Sequence, residues 1–108
     1  MKLIINESKI ELKYATKFID RLIGLMFKKN ITYGLCFPKC NSIHTFFMFC
    51  PIDVIMTDKN NNILYTYQRL KPWRIIFPKR NVYYTYEFPA GYLDWLFESR
   101  THLLTVEG

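Results

Sequence analysis

No run in these 108 residues approaches the roughly 18 consecutive apolar side chains that a membrane-spanning helix needs. The longest, "IHTFFMFCPIDVIM", is interrupted by His44, Pro51 and Asp53, so no membrane association is expected. No secretory leader is expected either: "MKLIINESKIELKY" offers only Leu3, Ile4 and Ile5 before polar residues return, against the about 7–15 apolar residues of a signal core. That reading makes the protein cytoplasmic. Three cysteines, Cys36, Cys40 and Cys50, are an odd number without an export signal and fit reduced thiols better than a disulfide framework. Internal repeats, linkers and low-complexity stretches are absent, which favours one domain over residues 1–108.

What is present is core material and positive charge. Half the residues are hydrophobic and 18% are aromatic, ample for a single core even though a domain of this size buries only about 60–70% of its unfolded surface. Fifteen Lys and Arg stand against nine Asp and Glu, for a net charge of +6. Such a balance favours nucleic acid, anionic lipid or an acidic protein as partner, without choosing among them.

Along the chain, "KLII" and "KIELKYA" read as a hairpin turned at Asn6, Glu7 and Ser8. In "ATKFIDRLIGLMF" the period changes: Phe18, Leu22 and Leu25 recur at helical spacing behind Thr16 as N-cap, up to Gly24. "GLCFP" reads as a short strand. Residues 43–49 read as a strand apolar on both faces, and "IDVIMT" as its continuation after the break at Pro51. "DKNNN" is the clearest turn, returning into "ILYTYQRL". The two prolines of "KPWRIIFPKRN" mark an edge segment or ordered loop, and "VYYTYEF" is a further strand. "PAGYLDWLFES" carries i, i+4 apolar pairs behind a proline and reads as a second helix, with "THLLTV" as a last strand. The expected class is α+β, a compact domain that is mainly antiparallel β, barrel-like or two-layered, with two short helices.

The segments "RLIGLMF", "SIHTFFMFCPIDVIMTDKNNNIL", "LKPWR" and "YEFPAG", in this order and spacing, resemble the uncharacterised family called domain of unknown function 192. The resemblance implies a compact, mainly β domain found in prokaryotes, and no particular reaction. Two features depart from the family pattern: Phe49 occupies a position where members usually carry a basic residue, and the chain closes with "FESRTHLLTVEG".

Two candidate sites follow from the residues. Between Lys59 and Tyr86 every charged side chain is basic, with Tyr65, Tyr67, Trp73, Phe77 and Tyr83 interleaved. Backbone neutralisation plus ring stacking suits single-stranded nucleic acid or an acidic partner, so the leading reading is a non-enzymatic binding module that uses Arg69, Lys71, Trp73, Arg74, Lys79 and Arg80. The bland alternative is a solvated basic face over a sheet. The rival is an enzyme or small-ligand pocket near Arg21, His44, Asp53 and Asp58, with Arg21 as anion anchor and a dyad of His44 as general base and Asp53 as its orienting carboxylate.

Geometry argues against that dyad. If 43–49 and 52–57 pair as a hairpin across Cys50 and Pro51, Asp53 faces Met48 and His44 faces Thr57, near Asp58. His44 then lies on the order of 13 Å from Asp53. A structural role is the first reading of both: a core imidazole for His44, and for Asp53 a carboxylate that accepts backbone N–H groups at the bend. Zinc on Cys36, Cys40, His44 and Cys50 is disfavoured by spacing, and no metal or cofactor is expected.

Overall fold

A computed structural model describes residues 2–5, 8–14, 34–46, 50–91, 93–94 and 103–107. Its strands are β1 (Lys2–Ile5), β2 (Ser8–Tyr14), β3 (Gly34–Pro38), β4 (Ile43–His44), β5 (Ile52–Thr57), β6 (Ile63–Leu70), β7 (Ile75–Ile76), β8 (Tyr84–Pro89) and β9 (Thr105–Glu107). Seven form one sheet in the order β6-β5-β8-β3-β2-β1-β9, while β4 and β7 make a separate two-stranded ribbon. Only β2 and β3 run parallel; the other neighbours are antiparallel.

Strand β5 explains the architecture. Bonded to β6 on one side and β8 on the other, its six residues are all buried. Alternation sends Ile55 into one core, with Leu12, Cys36, Tyr86, Phe88 and Leu104, and Ile52, Val54 and Met56 into a second, with Leu35, Phe37 and Ile76. The first core lies inside a curl of the sheet: its two edges meet where Asn62 bridges Leu103 and the Leu104 N–H donates to the Asn61 carbonyl at 3.0 Å. This barrel-like closure leaves no room for side-chain atoms at Gly34, where a Cβ would stand 2.5 Å from the Phe88 ring and 2.8 Å from Leu12. On the outer face the second core is covered by the β4–β7 ribbon.

The hairpins β1–β2 and β5–β6 are those expected from the sequence. The expected pairing of 43–49 with 52–57 is not what forms. Both edges of β5 are occupied, so β4 crosses the outer face and pairs with β7, placing His44 opposite Ile75 and Ile43 opposite Ile76. Residues 47–49 lie outside the described set. The two short helices are not part of what is described either. The stretch "ATKFIDRLIGLMF" falls outside it, and of "PAGYLDWLFES" only Leu93 and Asp94 are helical. Among the described residues the protein is a mixed, mostly antiparallel sheet with almost no helix.

Candidate functional site

Between the ribbon and the outer face of the sheet lies a cleft of about 440 Å³, walled by Phe37, Ile43, Phe46, Ile76 and Phe77 and reached by Cys40, Ser42, His44, Ile75 and Pro78. Among the described residues one carboxyl lines it. Glu87, on β8, sits opposite Leu35 of β3 and Val54 of β5 and is 5% exposed. Its carboxyl forms no hydrogen bond or ion pair with another described residue. Desolvation is the cause of its high pKa, pushed up to about 8, so Glu87 holds its proton at neutral pH.

The rim is organised by Thr45, fully buried at the end of β4. Its hydroxyl donates to the Lys71 carbonyl at 2.7 Å and accepts the Arg74 N–H at 2.8 Å. Its backbone donates to the Arg74 carbonyl at 2.9 Å and accepts the Trp73 N–H at 3.0 Å. Those bonds hold Trp73 in a left-handed conformation (φ 63°), 56% exposed, with its ring stacked on Phe46 at 5.5 Å. Phe46 in turn lies 5.1 Å from the His44 ring, whose Nδ1 accepts the Phe46 N–H at 3.3 Å. Of this row of three rings, His44 and Phe46 line the cleft, and Trp73 extends the row beyond the lining.

The candidates of the rival pocket are dispersed. Arg21 lies outside the described residues; of the other three only His44 reaches the cleft, and it is exposed, not the core imidazole expected from the sequence. Asp53 is fully buried on the opposite face, where it accepts the N–H groups of Arg69 (2.8 Å), Gly91 (2.8 Å) and Leu93 (2.9 Å). A bulge in β6 at this point, with Arg69 at φ 50°, frees the first of those donors from the ladder. Asp58 serves its own turn: its carboxylate accepts the N–H groups of Asn60 and Asn62, both at 2.9 Å, and the Asn62 side chain. The Asn62 amide leads the interactions that hold its pKa below the usual carboxylate range.

The basic set is also divided. Arg69 forms a two-pronged pair with Asp94 at 3.0 and 3.3 Å, which raises its pKa. Lys79 lies over the Tyr65 ring. Lys71 and Arg74, on the loop that carries Trp73, are exposed, as is Arg80. Cys36 and Cys40 belong to different cores, so the sheet separates the first two thiols of the disfavoured zinc reading. Burial pushes the Cys36 thiol up to about 12.

Glu87 escaped sequence reasoning because alternation along "YTYEFP" puts it on the more polar side of a strand, the position expected to face water. The available signal was that an acid follows at once on a segment whose charges are otherwise all basic.

Residues 1–97 match the profile of DUF192, described as an uncharacterised ACR. A UPF0127 protein of Pyrococcus horikoshii is 44% identical over 100 residues, covering 82% of this chain and 85% of its own. Two solved structures share the fold at low identity. A Novosphingobium aromaticivorans protein of unknown function has a TM-score of 0.78 at 14% identity, over 99% of this chain and 82% of that one. A Sinorhizobium meliloti protein, provisionally described as a transcription regulator, has a TM-score of 0.79 at 19% identity, over 99% and 90%.

Proposed function

This chain belongs to the uncharacterised DUF192 family, and we propose that it acts as a small-molecule-binding domain whose site is the cleft between the β4–β7 ribbon and the sheet. The observation that carries the reading is Glu87, a carboxyl 5% exposed in the wall of an apolar cleft, without a partner among the described residues. Apolar concavities with a few convergent polar groups and a perturbed pKa are the usual form of ligand sites. A core without a ligand to serve gains nothing from burying a carboxyl there. The test is an NMR titration of labelled protein with small organic fragments. Shifts concentrated at Ile43, Ile76 and Glu87 are expected; a folded protein in which no fragment moves these signals overturns the reading.

A second reading is supported by the Thr45 clamp, which holds an exposed Trp73 beside Lys71 and Arg74. In it the surface made by Arg69, Lys71, Trp73, Arg74, Lys79 and Arg80 binds nucleic acid or an acidic partner. Salt-dependent binding of a single-stranded oligonucleotide, lost in Trp73→Ala with Arg74→Ala and kept in His44→Ala, is its expected outcome. Absence of binding at low salt sinks it.

A further inference from the structure

We infer that the cleft selects organic amines, with the ligand's ammonium seated on the Glu87 carboxylate and its apolar body against the phenylalanine rings of the wall. This deepens the small-molecule reading above and rests on it.

Three observations converge on a cation. The only carboxyl among the described lining residues is more than nine-tenths buried and faces the cleft without a described partner. Phe37, Phe46 and Phe77 line the same cleft, and aromatic rings attract ammonium groups more strongly once water is excluded. Among the described residues the lining includes no Lys or Arg, although the chain carries fifteen of them. Among the described residues, His44 on β4 and the Cys40 thiol, which donates to the Ser42 carbonyl, are the other titratable groups facing the cleft. The facing residues of β3, β5 and β7 (Leu35, Phe37, Val54, Ile75 and Ile76) carry no charge.

A neutral ligand could take one hydrogen bond from protonated Glu87. An ammonium does more, since it supplies the countercharge that lets the acid ionise inside the cleft. The balance is simple: the cation enters with its protons, the carboxyl O–H bond breaks, the carboxylate keeps the electron pair, and one proton leaves to solvent. Binding is therefore linked to proton release near neutral pH, where Glu87 is protonated in the free protein.

The test compares phenethylamine with its neutral isostere phenethyl alcohol by calorimetry in two buffers of different ionisation enthalpy, with NMR to locate each. On the native protein the amine is expected to bind about tenfold tighter and to release up to one proton near neutral pH. Glu87→Gln should abolish both the preference and the release. Phe77→Ala, at a ring 69% exposed and so dispensable for folding, should weaken the amine severalfold more than the alcohol. Equal binding of both probes in the cleft overturns amine selection and leaves the ligand-binding reading standing. Failure of both to bind overturns this inference, and the fragment titration judges the broader reading separately. A preference that survives in folded Glu87→Gln, or tight amine binding without proton release, also overturns it; the latter decides the matter even if that variant does not fold.

Discussion

Asp53 and Glu87 stand on adjacent strands of one sheet, one residue out of register with each other, since Asp53 pairs with Phe88 and Val54 with Glu87. Both are buried, and they face opposite sides. Three backbone N–H groups converge on Asp53, whereas no described residue donates to Glu87. The contrast shows that burial alone does not assign a role to a carboxyl. Where the surrounding backbone supplies donors, the charge ties a bulge and a turn together; where it supplies none, burial raises the pKa of the carboxyl instead.

Breaking the satisfied side should have the largest effect. Asp53→Ala leaves three donors unpaired in the core, each worth about 1–3 kcal/mol, and a loss on the order of 4 kcal/mol in urea unfolding is expected. A loss below 1 kcal/mol would mean that water replaces the carboxylate. Glu87 should behave in the opposite sense. Its pKa is raised to about 8 on folding, so the folded state binds more protons than the unfolded state above the unfolded value. Stability is then greatest below about pH 4.5 as far as this group is concerned, and is lost as pH rises through about 8, by up to a few kcal/mol. Glu87→Gln should flatten that slope in thermal melts between pH 5 and 8; an unchanged slope would place the acid's proton balance elsewhere.

The packing of the two faces can be contrasted as well. Gly34→Ala thrusts a methyl against Phe88 and Leu12 in the inner core and should cost about 2 kcal/mol. Phe77→Ala, on the rim of the outer cleft, should change stability by less than about 0.5 kcal/mol. Similar losses from the two would show that the cleft is as closely packed as the barrel interior.

Much of the sheet was readable locally. "KLII", "GLCFP", "IDVIMT" and "ILYTYQRL" are strands because β-branched and aromatic residues sit between turn formers, and "DKNNN" turns because Asp58 can accept from its own downstream backbone. The possibility that Asp53 accepts backbone N–H groups was also readable, although its donors, from positions 69, 91 and 93, were not. Pairing across the outer face escaped because two-residue strands such as β4 and β7 carry too little pattern to name a partner. The Thr45 clamp escaped with it, since its partners lie 26 to 29 residues away.

The sequence by itself determined the strand-rich composition, the positions of the turns, the excess of positive charge and the family to which the chain belongs, all of which depend on neighbouring residues or on patterns carried in order. The tertiary structure decided which polar groups are satisfied. Whether a carboxyl on a half-polar strand meets water, backbone donors or an apolar cleft depends on what the rest of the chain lays across it, and at Glu87 a ribbon made from residues about 10 and 40 positions upstream supplied that cover.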